Sequence, residues 1–194
     1  MKVRAAKKPR RPKTVALTFD DGPSPYTPQV LDILRRNRVK ATFCLLGNNV
    51  GDYRRTVRRI VREGHRICNH SRDHADFTKL SRTAARDNVE RAQRKIRKAA
   101  GRSPKTFRFP YGASDPAARA VVRGEGLRIL GWTVDTRDWQ GPPAPTITRR
   151  AVRDTRPGAV ILMHDGGGDR RPTVASLPNT IRKLKAKGYV FVLA

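Results

Sequence analysis

Residues 15–23 read VALTFDDGP, and this stretch predicts the first element of the fold, a strand followed by a turn. The apolar run 15–19 is typical of a buried β-strand, and the Asp-Asp-Gly-Pro after it is typical of a turn. The strand therefore ends in two neighbouring carboxylates, Asp20 and Asp21. Because side chains alternate along a strand, both carboxylates can face one edge only if the chain bends there. We expect Gly22 and Pro23 to provide that bend.

The rest of the chain repeats a short apolar run followed by an amphipathic helical pattern, about seven times in all. Six further strands are predicted, at residues 41–46, 65–69, 106–109, 128–134, 159–163 and 189–193. Such alternation predicts an α/β fold with a mostly parallel sheet, either doubly wound or closed as a barrel. The strand at 128–134 is expected to be interrupted at Gly131.

Helix starts are marked by capping residues and prolines. Ser81, Thr146 and the pairs at 27–28 and 115–116 are each expected to begin a helix. A length of 194 residues allows one domain, which we place at 13–194 after a basic tail at 1–12. We expect a monomer.

Two kinds of segment are not expected in this sequence. No apolar run approaches the roughly 18 residues that a membrane-spanning helix needs. The first residues are basic and lack the apolar centre of a signal peptide.

Cys44 and Cys68 fall on neighbouring predicted strands, which leaves open a disulfide or two buried free thiols.

The net charge is strongly positive: 43 Lys and Arg against 16 Asp and Glu give +27. Such a charge suggests an anionic partner such as nucleic acid, anionic lipid or an acidic cell-wall polymer. Alternatively, the charge reflects only an arginine-rich composition, with the arginines spread over solvent-exposed faces and no anionic partner. Aromatic residues make up only 6% of the chain and lie mostly in apolar strands. We therefore expect no specific nucleic-acid binding and keep the anionic wall polymer as a partner.

Polar residues with catalytic chemistry cluster directly after predicted strands. They are Asp20, Asp21, His70, His74, Arg108, Tyr111, Asp135, Asp138, Trp139, His164 and Asp165. In parallel α/β folds the carboxyl ends of the strands share one rim, where active sites lie. His65 falls outside this set and is expected to be structural. Trp132 lies in an apolar strand, so we expect it in the core rather than at the rim.

His70 and His74 are four residues apart, which would place both imidazoles on one face of a helical turn. Two imidazoles at this spacing can bind one divalent ion, and a third ligand from another strand end would complete an open catalytic site. Asp21 is the natural third ligand, which leaves Asp20 free to act as a general base.

Five short motifs follow one another: TFDDGP at 18–23, HSRDH at 70–74, RFPYG at 108–112, DTRDW at 135–139 and LMH at 162–164. Together they resemble the motifs of polysaccharide deacetylases, the carbohydrate esterase family 4 enzymes that share the NodB homology domain. The resemblance implies a distorted (β/α)7 barrel. It also implies one divalent ion held by Asp21, His70 and His74, with Zn²⁺ as the first choice and Co²⁺ or Ni²⁺ as alternatives.

The same resemblance implies a role for each remaining motif residue. Asp20 matches the catalytic base, and Arg108 matches the arginine that tethers it. His164 matches the catalytic acid, and Asp138 matches the carboxylate that tunes it. The last set matches the substrate-binding residues, which are the Tyr111 backbone N–H as oxyanion donor and the acetyl-pocket walls Trp139 and Leu162.

The implied reaction is removal of N-acetyl groups from a glycan that contains N-acetylglucosamine. Chitin or chitooligosaccharide is the first expected substrate and peptidoglycan the second, and the family implies an extracellular or cell-wall location. One alternative is an acetylxylan O-deacetylase of the same fold. Another is a non-catalytic cationic protein that binds wall polymer or nucleic acid. A binding module has no need of Asp20, Arg108 and His164 together, so the enzyme is favoured.

Overall fold

The structure is a computed structural model that describes residues 12–194. Apart from Pro12, the basic segment 1–12 lies outside the described residues, so the tail boundary stays a prediction. Within the described residues, eight strands and six α-helices are arranged in the predicted alternation. The strands are β1 (Lys13–Asp20), β2 (Thr42–Leu45), β3 (Arg66–Asn69), β4 (Thr106–Phe107), β5 (Arg128–Ile129), β6 (Val134–Asp135), β7 (Ala159–His164) and β8 (Tyr189–Phe191). The helices are α1 (Thr27–Arg36), α2 (Arg54–Arg62), α3 (Arg82–Ala100), α4 (Pro116–Gly124), α5 (Ala144–Asp154) and α6 (Arg171–Ala186).

The strands form one parallel sheet in the order β5-β4-β3-β2-β1-β7-β6, and β8 pairs with the start of β1. β1 lies inside the sheet between β2 and β7, and its last six residues are buried. The main apolar core packs the sheet against the helices through residues such as Phe19, Phe43 and Ile161. A second, smaller cluster forms around Phe77, Phe107 and Val122. The curled parallel sheet confirms the expected distorted (β/α)7 barrel.

The distortion lies at a seam between β5 and β6, the two ends of the sheet. The sequence predicts one interrupted strand at 128–134, but the structure has two separate strands joined by residues 130–133. No β5–β6 ladder occurs among the strand pairs of residues 12–194. Instead, Leu130 donates its N–H to Phe107 on one side, at 2.8 Å, and Thr133 donates to Val160 on the other, at 2.9 Å. Residues 130–133 therefore connect the two ends of the sheet, where no strand pairing joins β5 to β6.

Three of the four predicted helix starts are confirmed. Ser81 and Asp115 cap α3 and α4 through their side-chain oxygens, and α1 begins at Thr27. Thr146 as a cap is wrong, because α5 already begins at Ala144 after Pro143, and Thr146 lies within its first turn. A second proline there, at 145, fixes φ in the helical range and favours the earlier start.

Three residues outside the motifs have clear positions. Cys44 and Cys68 face each other in register on β2 and β3 as buried free thiols, so the alternative without a disulfide is the one observed. His65 is buried, accepts a hydrogen bond from the Ala41 N–H at 3.1 Å and packs edge-on against Phe43. Burial lowers the pKa of His65 to about 4, so it is a neutral core residue, as expected. Within residues 12–194, no helix is both long and apolar enough to cross a bilayer.

Candidate active site

Asp20 and Asp21 both reach the rim because the backbone turns at the second of them. Asp20 is the last residue of β1, and Asp21 has a left-handed backbone, with φ of 70°. The turn therefore begins one residue before the expected Gly22-Pro23 bend. Gly22 is still required, because a Cβ there would lie 2.5 Å from the carboxylate of Asp165.

Asp21, His70 and His74 form the one cluster of metal-ligating side chains found among the described residues. Their ligand atoms all lie within 4.8 Å of one another. The Oδ1 of Asp21 is 3.4 Å from Nε2 of His70 and 3.2 Å from Nε2 of His74. This buried Oδ1 has no hydrogen-bond partner within the described part of the chain. The unsatisfied oxygen and the two imidazoles fit a divalent cation.

The hydrogen bonds and charges around the cluster affect how its three side chains can bind a cation. The Nδ1 of His70 lies 2.8 Å from the carbonyl oxygen of Arg108, so Nδ1 carries the proton and Nε2 is free as a ligand when the ring is neutral. Burial opposes ionisation of Asp21, but His70, His164 and His74 together outweigh it and lower the pKa of Asp21 to about 2. Burial also lowers the pKa of His74, which favours the neutral imidazole. At His70 burial is outweighed by the carboxylates of Asp20 and Asp21, which raise the pKa, so a cation must displace a proton from that ring. A carboxylate and neutral imidazoles are the forms that bind metal.

The helical turn expected for residues 70–74 is wrong. This segment is an irregular loop in which Ser71 and His74 have left-handed backbones, with φ of 74° and 64°. Side chains hold the loop: the Oδ1 of Asn69 accepts the Ser71 N–H at 2.9 Å, and the hydroxyl of Ser71 accepts the His74 N–H at 2.9 Å. The two imidazoles meet through loop geometry, with ring centroids 5.1 Å apart.

Asp20 is held by a buried guanidinium rather than by the cluster. Nη1 of Arg108 donates to Oδ1 of Asp20 at 2.8 Å, and both side chains are almost fully buried. The other donors of Arg108 bond the Thr18 hydroxyl and the carbonyl oxygens of Leu130 and Gly131. Burial opposes the charge on Arg108, but Asp20 outweighs it, so the pKa of Arg108 is raised. The same side chain thus closes the barrel seam and orients Asp20.

A second charge-paired couple lies at the end of β7. Nδ1 of His164 is 2.7 Å from Oδ1 of Asp138, and the backbone N–H of His164 donates to Oδ2 at 2.8 Å. The hydroxyl of Thr173 donates to the same Oδ2 at 2.8 Å. Burial disfavours the imidazolium, but Asp138 outweighs it, so the pKa of His164 is raised. The arrangement favours an imidazolium that can give up a proton at Nε2.

The cluster residues Asp21, His70 and His74 line one cavity of about 490 Å³ together with Asp20 and His164. Its walls include Leu162 and two largely exposed aromatic rings, Tyr111 at 72% and Trp139 at 54%. The Tyr111 ring packs edge-on against His74, with centroids 4.5 Å apart. Trp132 also lines the cavity and stacks near the Arg108 guanidinium, so its expected core position is wrong. Trp132 lies in the segment 130–133 between β5 and β6, and not within a strand as expected.

Sequence reasoning assigned no role to several residues around this cavity. Asp165 is fully buried; burial raises its pKa to about 7, and its Oδ2 accepts the Thr27 hydroxyl at 2.5 Å. Its position directly after β7 was the available signal. Arg170 and Thr173 reach Asp138 from the start of α6, and no local pattern marks them.

Comparisons with known proteins agree with this geometry. The Polysaccharide deacetylase family model matches residues 7–130. The peptidoglycan-N-acetylglucosamine deacetylase PgdA of Listeria monocytogenes is 41% identical over 193 residues, which is 99% of this chain but 40% of the relative. The chain therefore spans less than half of that protein. A chitooligosaccharide deacetylase of a Bradyrhizobium species is 40% identical over 178 residues, covering 89% of this chain and 81% of the relative.

Solved structures extend the likeness over nearly the whole chain. The Bc1960 peptidoglycan N-acetylglucosamine deacetylase superposes with a TM-score of 0.91 and 39% identity, covering 95% of this chain and 87% of that one. A family 4 pseudoenzyme of Bacillus anthracis, BA3943, gives a TM-score of 0.87 at 32% identity, covering 94% of this chain and 64% of that one. A pseudoenzyme on the same fold means that activity must be argued from the site, not from the fold. The family itself is settled by the match over more than half the chain together with these identities: the chain belongs to the polysaccharide deacetylases.

Proposed function

We propose that the protein is a metal-dependent hydrolase that removes N-acetyl groups from N-acetylglucosamine units of a polysaccharide or oligosaccharide. One observation carries the proposal. Two separate charge-paired couples, Arg108–Asp20 and Asp138–His164, open into the same cavity as the metal-ligating cluster. A binding site needs no such couples, whereas hydrolysis of an amide needs both a base and an acid.

Asp20 is the proposed base. It lies beside the cluster, with its Oδ2 3.7 Å from Nε2 of His70, but its other oxygen is committed to Arg108. The pairing fixes the carboxylate at the cavity, where it can take a proton from an attacking water. A divalent cation held by Asp21, His70 and His74 would polarise the acetyl carbonyl and lower the pKa of water beside it. Zn²⁺ is the proposed ion, with Co²⁺ and Ni²⁺ as alternatives.

His164 is the proposed acid. An amine is a poor leaving group unless it is protonated, so the imidazole must carry a proton near neutral pH. Asp138 supports this state by its 2.7 Å bond to Nδ1, which leaves the Nε2 proton for transfer. Leu162 and Trp139 would enclose the acetyl methyl, and the Tyr111 N–H would donate to the oxyanion.

The proposed substrate class follows from the relatives. The named activities of the Listeria and Bradyrhizobium relatives both concern N-acetylglucosamine glycans, one in peptidoglycan and one in chitooligosaccharides. We propose chitooligosaccharide first and peptidoglycan second. The protein would then work outside the cell or at the cell wall, as a monomer.

The basic surface is proposed to hold the enzyme near an anionic wall polymer and to make no specific contact with nucleic acid. Helix α2 exposes four arginines on its outer side, at positions 54, 55, 58 and 62. Binding through such charges should weaken steeply as salt rises, while turnover of a short neutral oligosaccharide should change little.

The deciding experiment measures acetate release from chitooligosaccharides, peptidoglycan and acetylxylan, in the Zn²⁺-loaded protein and after chelation. We expect release from the first two and none after chelation. Release from acetylxylan alone would move the protein to O-deacetylation. Failure on every substrate with a full metal complement would overturn the proposed function.

A further inference from the structure

Three consecutive glycines, Gly166 to Gly168, follow β7 and Asp165, and the first two form a wall behind the proposed metal ligand Asp21. A Cβ on Gly166 would overlap the carbonyl oxygen of Asp21, and one on Gly167 would lie 2.5 Å from its Oδ2. Gly167 also has a left-handed backbone, with φ of 71°. The backbone of this turn therefore packs directly on Asp21, at a distance that no other residue type permits.

The Arg170 side chain holds this turn from behind. It is only 4% exposed. Its Nε donates to the Gly166 carbonyl at 2.6 Å, and its Nη2 donates to the Gly167 carbonyl at 3.0 Å. Its hydrogen-bond partners among the described residues are all backbone carbonyls. Burying a guanidinium without a carboxylate is costly, so its position calls for an explanation.

The third bond of Arg170 leads to the other half of the site. Its Nη1 makes a long bond, 3.4 Å, to the carbonyl oxygen of Asp138. Thr173, one turn further along the same helix, bonds the carboxylate of Asp138 at 2.8 Å. The start of α6 thus holds both the backbone and the side chain of the residue that pairs with His164.

We propose that Arg170 is a positioning residue for deacetylation, which fixes the metal-ligand wall and the Asp138–His164 couple in one arrangement. Arg170 also borders the cavity, but its hydrogen bonds go to the glycine turn and Asp138, and it acts through them. The inference rests on the site roles proposed above. It also accounts for the glycine run, which is not followed by the Lys-Ser or Lys-Thr of a phosphate-binding loop.

The test compares Arg170→Met with Arg171→Met, the same change one residue along the chain. Arg171 is exposed and pairs with Asp169 at the surface, so the control removes the same charge without touching the turn. We expect R170M to lower kcat roughly 10- to 100-fold and to weaken Zn²⁺ binding, the usual effect of disturbing the partners of metal ligands. KM should change less than kcat, and R171M should match the wild type. Arg170→Lys should recover part of kcat, because an ammonium can still donate to these carbonyls.

The pKa of His164, followed by NMR in the metal-free protein, separates positioning from simple charge. Asp138, Asp20 and Asp21 are the charged groups that raise this pKa. Loss of a nearby positive charge would raise it further, whereas loosening of Asp138 would lower it, and we expect it to fall in R170M. A rise, or a drop in thermal stability with kcat and the pKa unchanged, would overturn the proposal. If the wild type releases no acetate at all, the proposed function fails, and the His164 pKa with the Kd for Zn²⁺ still decides the role of Arg170.

Discussion

Asp20 and His164 lie directly opposite each other at the ends of β1 and β7, which pair in parallel register. In-register residues of parallel neighbours point to the same face of the sheet, so both side chains enter the cavity at one level. Each is held by a buried partner from a different part of the chain, Arg108 for Asp20 and Asp138 for His164. The proposed base and acid can therefore be disabled separately, without moving the proposed metal ligands.

Replacement of Asp20 or Asp21 by Asn should have different consequences, although the residues are neighbours of one type. Asp20→Asn keeps the size of the side chain but removes the basic oxygen, so we expect kcat to fall about 10²-fold or more with metal content near one ion per chain. Asp21→Asn should lose the metal, because an amide is a poor ligand beside two imidazoles. Metal stoichiometry and rate, measured on both variants, check this. The reverse pattern would show that the two roles are exchanged.

Chelation should abolish acetate release, and one divalent ion per chain should restore it. His70→Ala and His74→Ala each leave two protein ligands, which rarely hold a catalytic ion, so both should bind Zn²⁺ much more weakly. His65→Ala is not a suitable control, because that ring is part of the core. Glu90→Ala, on the surface of α3, is a better one and should bind Zn²⁺ normally. Full activity in rigorously metal-free protein would contradict the assignment.

The alkaline limb of the pH–rate profile should move when Asp138 is neutralised. Asp138 is the main group that raises the pKa of His164, so Asp138→Asn lowers that pKa. Above the lowered pKa the imidazole is neutral and cannot protonate the leaving amine, so kcat should decline from a lower pH than in the wild type. Asp154→Asn, at the exposed end of α5, is the matched control. An unmoved alkaline limb in D138N would show that His164 is not the acid.

The sequence allowed most of this site to be predicted, because its residues follow strands that apolar runs mark clearly. Asp20, His70, Arg108 and His164 all lie at the carboxyl ends of such strands. Parallel pairing then brings together positions that are far apart in the chain, which is a property of topology rather than of local sequence. The parallel sheet confirms the expected fold, and the comparisons confirm the expected family.

The remainder depends on contacts that no local pattern records. Four-residue spacing predicted a helical turn for His70 and His74, but the hydroxyl of Ser71 stabilises a left-handed loop there instead. Trp132 was expected in the core because the barrel seam is not visible in its apolar surroundings. Arg170 bonds only to backbone carbonyls, and a residue's type says nothing about which carbonyls will surround it.

Gly167→Ala provides the sharpest test of how closely the backbone packs on Asp21. Gly101 is a natural control, since both glycines have φ of 71°, but a Cβ at Gly101 would have no neighbour within 4 Å. Alanine at either position incurs the same left-handed strain, about 1 kcal/mol, so the two variants should lose similar stability from that source. Only G167A forces the new methyl against the carboxylate oxygen of Asp21, the proposed metal ligand, so only G167A should weaken Zn²⁺ binding, by roughly 10- to 100-fold. Thermal unfolding and Zn²⁺ competition titrations on both variants separate strain from overlap. Equal Zn²⁺ affinity in G167A and G101A would mean that Asp21 tolerates displacement, and that the wall behind it does not set its position.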